Sequence, residues 1–329
     1  MNKTTQVGVR ERLCSIAAGE FGEDPGGTAS TLDLCLLIEF PKPWSVDIME
    51  SKGFPLGVSE SLARLANSSE NIKLMGMEPD SDYSVEGLTR VILYSKPDGF
   101  FSRYDKSEFM VPSGSVEQLV DVLLKRRPSD IESLEEYRRE TSNIRDIFVC
   151  THGTHDSCCG TFGYPVYSAL RQDYAPSLNG NLRVWQVNHI GGHRFAPNLL
   201  DMPEGRNWVR INGESLENLV YRRGEVSELR GNYRGSIGLA GPHVQLVERE
   251  VFMLEGWSWT ERRIRGHVER LMEDGCSAEV YLEFLDPESG VTGAYEATVT
   301  HTGTVHKANC LAEPDDIDQY LTSRLTIKA

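Results

Sequence analysis

The sequence predicts an α/β protein with two consecutive α/β halves and an α+β region behind them. Three observations predict it. Short, continuous apolar runs bounded by turn residues, such as LDLCLLIEF at 32–40, fit strands buried on both faces. Amphipathic segments, such as SVEQLVDVLLKRR at 115–127, alternate with those runs. After a polar stretch the same alternation starts again at RDIFVC, residues 145–150. Length agrees, because 329 residues suit two domains of ordinary size. The expected boundaries are 1–140, 141–260 and 261–329.

In order, GVRERLCSIAAGEFG is the first element, and the Gly/Pro-rich EDPGGTAS follows as a loop. Pro41 and Pro43 stop the 32–40 strand, since proline cannot continue a central strand. Residues 57–68 have helical periodicity, and NIKLMGM and TRVILYS read as strands. The 115–127 helix has Ser113 or Ser115 available as a cap and a basic last turn. RRPSDIESLEEYRRE reads as a charged surface helix joining the halves.

In the second half, RDIFVC is a strand ending on Cys150, and LRVWQVNH at 182–189 is a strand ending on His189. Between them, 161–174 reads as a helix with Pro165 in its first turn. RFAPNLL and NWVRI flank the turn MPEG as a β-hairpin. SLENLVYRR and residues 243–257 are helices. In the last region AEVYLEFLD and AYEATVTHT alternate as strands, and PDDIDQYLTSRL closes it as a helix.

Composition narrows the function classes. Net charge is −15, so phosphate backbones and anionic membrane surfaces are repelled and neither nucleic acid nor a membrane is expected as a partner. MNKTTQVGVRERL lacks the apolar core of a signal peptide, and no apolar run reaches the ~20 residues of a membrane span. Seven cysteines, an odd number, do not suit a secreted disulfide framework. The expectation is a cytoplasmic protein with reduced or metal-bound thiols. Neither a G-x-G-x-x-G fingerprint nor a Walker A loop is present, so no nucleotide cofactor is indicated.

The densest chemistry lies between Cys150 and His193. Four of eight histidines and three of seven cysteines fall in these 44 positions. Cys150 and Cys159 have eight residues between them, and His189 and His193 have three. Both pairs follow predicted strands, and in α/β folds the C-terminal strand edge is where loops build sites. Thiolates and neutral imidazoles both ligate zinc or iron. Gly191 and Gly192 disfavour a helix by about 1 kcal/mol each, which predicts a tight loop between the histidines. Gly153 and Gly160 loosen the cysteine loop. The pattern alone leaves zinc, an iron–sulfur cluster and a redox cysteine pair open. Cys158, beside Cys159, and His152 lie inside the same cluster. Cys14 and Cys35, Cys276 and Cys310, and His301 and His306 are more dispersed, and Cys35 reads as core.

The blocks VCTHGTHDSCCG (149–160), VNHIGGHRFAPNLLDMPEG (187–205), YRGSIGL (233–239) and GTASTLDLCLLIEFPKPW (27–44) resemble the sucrase/ferredoxin-like family. That likeness implies thioredoxin-like, ferredoxin-type domains and a 2Fe-2S cluster with two cysteine and two histidine ligands. It places the ligands at Cys150, Cys159, His189 and His193, with Cys158 as the alternative to Cys159. Where the family pattern leads us to expect arginine before Asp156, this chain has His155. The family name also implies a sugar hydrolase, for which no paired carboxylates argue here. The expected function is one-electron transfer, with proton coupling through the histidines, or redox sensing with a redox partner protein. Asp156, Arg194 and Asn198 are candidates to orient ligands or partner. The alternatives are a structural zinc module and a thiol oxidoreductase using Cys150 with Cys158 or Cys159.

Overall fold

The structure is a computed structural model that describes residues 13–64, 69–126, 130, 132, 134–272, 276–308 and 315–328. Helix α1 (Cys14–Glu20) precedes β1 (Leu34–Glu39), α2 (Val58–Ala63), β2 (Ile72–Met77), β3 (Leu88–Ser95), β4 (Asp105–Pro112) and α3 (Val116–Lys125). The second half follows with β5 (Arg138–Arg139), β6 (Arg145–Cys150), α4 (Ser157–Ala169), β7 (Leu182–Val187), β8 (Asn198–Met202) and β9 (Arg206–Val209). Then come α5 (Gly213–Tyr221), β10 (Tyr233–Ser236), α6 (Pro242–Glu255), β11 (Arg263–Leu271), β12 (Ser277–Leu285), β13 (Thr292–Lys307) and β14 (Asp315–Lys328).

Ten strands form one mixed sheet in the order β10-β9-β8-β6-β7-β2-β1-β3-β4-β5. The halves repeat a local plan. In each, the first two strands are parallel (β1 with β2, β6 with β7) around a crossover helix. In each, the third and fourth strands then add antiparallel beside the first. The halves join through β2 and β7, which share the single register pair Met77–Val187. Asn188 extends that join, accepting from Gly76 N at 2.9 Å and donating its own N–H to Gly76 O.

Strand β1 is buried at every position, as its continuous apolar run requires. Side-chain alternation divides it between two cores. Leu34, Leu36 and Ile38 pack with α3, while Cys35 and Leu37 face the core shared with the second half.

The sheet curls enough that β4 meets β7 although three strands lie between them. At that meeting Arg183 spans Glu108 and Asp146, with contacts of 2.7 and 2.9 Å to Glu108 and 2.8 and 3.1 Å to Asp146. Lys106 Nζ lies 2.6 Å from Asp146, and Arg90 pairs with Glu108. Tyr94 Oη and Trp185 Nε1 also donate to Asp146.

Three expectations are corrected. PDDIDQYLTSRL was expected as a helix, yet its described part lies in β14, which pairs along β13. Ile317, Leu321 and Leu325 have helical spacing, but the exposed edge of β13 supplies a backbone ladder that local periodicity cannot register. The described elements of the 261–329 region are therefore four antiparallel strands, β11-β12-β13-β14, rather than α+β. Their alternating inner face, Ala278, Val280, Leu282 and Phe284 on β12, packs in one core with residues of α6. Within the 126–140 segment the described residues Asp130 and Glu132 are helical, as expected, and the segment ends as a short 3-10 turn and the edge strand β5; its residues 127–129, 131 and 133 lie outside the described set. Pro165 sits in the interior of α4, not its first turn, because the helix begins at Ser157. The ends 8–12 of the first expected element and 65–68 of the second helix, and Cys310, also lie outside the described residues. Among the described residues no helix is long and apolar enough to cross a membrane.

Burial alone would raise the Asp146 carboxyl, but Arg183 and Lys106 outweigh it and hold the group well below the usual carboxylate range. A carboxyl depressed by folding contributes stability that is complete above its unfolded pKa, about 3.9, and is lost as pH falls from there through the folded value. Asp146→Asn should cost about 3–5 kcal/mol in denaturant unfolding, because it leaves buried cations underpaired. The gap to the parent protein should hold from neutral pH down to about pH 4 and shrink only below it.

Candidate metal centre

The parallel register sets Cys150 opposite Val187, so the loops after β6 and β7 leave the same sheet edge. The first loop ends at Asp156, which caps α4 by accepting the Cys158 N–H at 2.8 Å. The first turn of α4 carries Cys158 and Cys159. Successive helix positions are about 100° apart, so the two thiols diverge. Cys159 faces Cys150, and Cys158 faces α1, with its sulfur 3.3 Å from that of Cys14. Helix α4 reaches the strand end closely because residue 163 is glycine: a Cβ there would stand 1.9 Å from the Cys150 carbonyl oxygen.

Donor atoms of Cys150, Cys159 and His189 all lie within 4.8 Å of one another. His189 Nδ1 is 3.5 Å from Cys159 Sγ. Both cysteines are 1 % exposed, whereas His189 is half-buried. A hydrogen bond from Cys159 holds the Cys150 thiol well below the usual range against the effect of burial, with His189 adding to the depression. The same pairing, together with burial, pushes Cys159 up.

His193 stands beside this group, its ring 5.9 Å from that of His189. Its Nδ1 is 2.9 Å from Asp156 Oδ2 and 3.1 Å from Cys14 Sγ, so Cys14, Asp156 and His193 form a second close set of donors. Burial lowers the His193 pKa more than Asp156 raises it, and His189 and Arg194 lower it further, which favours the neutral ring that metals bind. With Nδ1 turned to Asp156, Nε2 is the nitrogen left for a metal, and a carboxylate behind a histidine is the usual support of a histidine ligand.

The loop between the histidines is tight, as the glycines predict. Gly191 and Gly192 have φ of 111° and 75°, and a Cβ on Gly192 would stand 2.7 Å from the Arg234 guanidinium. Asn198 donates to the carbonyls of both glycines, at 2.8 and 2.9 Å, and Arg234 donates to Gly191 O at 3.1 Å. Of the three expected orienting residues, Asp156 and Asn198 touch the ligand loops directly. Arg194 instead pairs with Glu23 at 2.7 Å.

His155 stacks on His189 with centroids 3.9 Å apart. His152, 2 % exposed, accepts the His189 N–H on Nδ1 at 3.3 Å and stands edge-on to Trp44. Its Nε2 has no hydrogen-bond partner among the described residues. Cys14, Trp44 and Arg234 were missed as site residues because their signals lie far along the chain from the ligand loops. Cys35 is core, its thiol pushed up to about 12 by burial, as its place in an apolar strand suggested. His301 and His306 pair with Asp318 and Asp316, and Cys276 is exposed.

At one strand edge of a mixed α/β sheet, Cys150, Cys159 and His189 thus form one set of donors that could hold a metal ion, with the set of Cys14, Asp156 and His193 beside it. The chain belongs to the sucrase/ferredoxin-like family, whose model matches residues 25–235. It is also similar to altered inheritance of mitochondria protein 32 of Candida glabrata, 28 % identical over 114 residues, which is 31 % of this chain and 36 % of that protein. The protein of the same name from Meyerozyma guilliermondii is 26 % identical over 107 residues, covering 30 % of this chain and 37 % of that one. The match thus spans little more than a third of these relatives' length. No solved structure matches the chain.

Gly163→Ala should push α4 off the end of β6. The expected cost is about 1–3 kcal/mol, as for overpacking elsewhere, read in urea unfolding.

Proposed function

We propose that Cys150, Cys159, His189 and His193 hold a 2Fe-2S cluster, and that the protein works as a one-electron carrier or redox sensor. The observation that carries this reading is the convergence of the Cys150, Cys159 and His189 donors within 4.8 Å, with His193 alongside and backed by Asp156. When bound, such a cluster supplies one-electron oxidation and reduction, at a potential raised by imidazole ligation.

The chain's own residues divide the remaining work. Cys150 and Cys159 hold thiolate charge out of contact with water. His189 and His193 form the more exposed side. A cavity of about 670 Å³ lined by Val46, Ile48, Leu74, Lys73, His155 and His189 opens beside them. A redox partner protein would approach on this histidine side. His193 Nδ1 stands 2.9 Å from Asp156 Oδ2, and a proton carried on that nitrogen would give electron transfer a route to proton coupling. We read each half as thioredoxin-like, supported by the repeated fourth–third–first–second strand order. We assign the protein to the cytoplasm, where thiols stay reduced.

A structural zinc site is the second reading, favoured by the same three donors, whose spacing also suits a single ion. Visible spectroscopy and metal analysis of anaerobically purified protein separate the readings. Charge-transfer bands with about two irons per chain, shifted in His193→Cys, are expected. A colourless protein that holds zinc and cannot be reconstituted with iron overturns the cluster. Absence of any metal turns the reading to a thiol oxidoreductase using Cys150 and Cys159, which should survive His189→Ala. Asp156→Ser keeps a capping oxygen but loses the carboxylate behind His193. It should weaken metal retention about 10–100-fold, read as faster loss of absorbance to a chelator, with little change in thermal stability.

A further inference from the structure

We propose that Cys14 and Cys158 form a reversible disulfide that fastens α1 to the helix bearing Cys159. Their sulfurs are 3.3 Å apart, and the residues are 1 % and 0 % exposed. A disulfide needs about 2.0 Å, so side-chain rotation need close only about 1.3 Å. Two thiols held at contact react as a unimolecular pair. Cys14 lies outside residues 25–235, so the family match assigns it nothing.

The pair is also placed to matter. Helix α1 lies against the turn His193–Phe195, and Ser15 Oγ donates to Ala196 O at 2.6 Å. Cys14, Ala18, Cys158 and Ala196 share one small buried cluster. Cys158 directly precedes Cys159 in the first turn of α4, and Cys14 Sγ touches His193 Nδ1. Oxidation therefore fixes α1 over His193 and removes the thiol hydrogen next to that ring.

The oxidant is a low-molecular-weight disulfide. One protein sulfur attacks it, expelling one thiol and leaving a mixed disulfide. The second protein sulfur then attacks that bond and expels the second thiol. Two protein thiols lose two electrons and two protons, and the small disulfide gains both as two thiols. Because both sulfurs are buried, exchange waits on displacement of α1 and runs more slowly than at exposed Cys276.

The test uses the full chain, with its visible spectrum recorded first. The protein is incubated with glutathione disulfide, remaining thiols are alkylated after denaturation, and the digest is mapped by mass spectrometry. A linked peptide containing Cys14 and Cys158 is expected. It should be lost with dithiothreitol, absent from Cys14→Ala and retained in Cys276→Ser. Recovery of Cys14 and Cys158 as separate alkylated peptides, in a sample where Cys276 has exchanged, overturns the proposal. Visible bands without the link fail this inference alone, and the link without bands fails only the cluster reading.

Discussion

The buried charge cluster of Arg183, Asp146, Glu108 and Lys106 is the constraint on which the arrangement of the two halves depends. The sheet itself joins them weakly, through one register pair between β2 and β7. Glu108 and Lys106 come from the first half, Asp146 and Arg183 from the second, and all four side chains are at most 8 % exposed. Each charge in such a place must be paired, because removing one leaves the others desolvated. The cluster can close only when the sheet is curled to one degree. It thereby sets how the first half lies against β6 and β7.

The candidate centre inherits that arrangement. Asn188, directly before His189, is tied to Gly76 of the first half. Thr154, in the cysteine loop, donates to the Trp44 carbonyl, and Lys42 donates to Thr151 and Gln186. From the other side, Asn198 and Arg234 hold the glycine loop between the histidines. The ligand loops are thus gripped by both halves, and the donors have little freedom to drift. Asp156 links the grips, since one carboxylate caps the cysteine helix and faces His193.

Much of this was legible before folding was considered. Buried strands showed in the apolar runs of β1 and β6, the hairpin of β8 and β9 in its turn, and the tight histidine loop in Gly191 and Gly192. Cys150 and His189 were traceable to strand ends, and the parallel pairing of β6 with β7 brings those ends to one edge. The misreadings share a cause. The closing segment has helical spacing, and only its ladder to β13 makes it a strand. Pro165 suggested a later helix start, but the cap at Asp156 begins α4 at Ser157, which leaves Pro165 inside it.

By itself, the sequence determined the α/β alternation, the clustering of thiols and imidazoles in one stretch, and the family, because these depend on local periodicity and on short, dense motifs. Only the tertiary structure decided which donors meet. It turned Cys159 towards Cys150 and Cys158 towards Cys14, brought Cys14 to His193 across 179 positions, and stacked His155 on His189. Those outcomes follow from the helix phase at Asp156 and from the packing of α1. Both are relations between segments distant in the chain, and no local pattern records them.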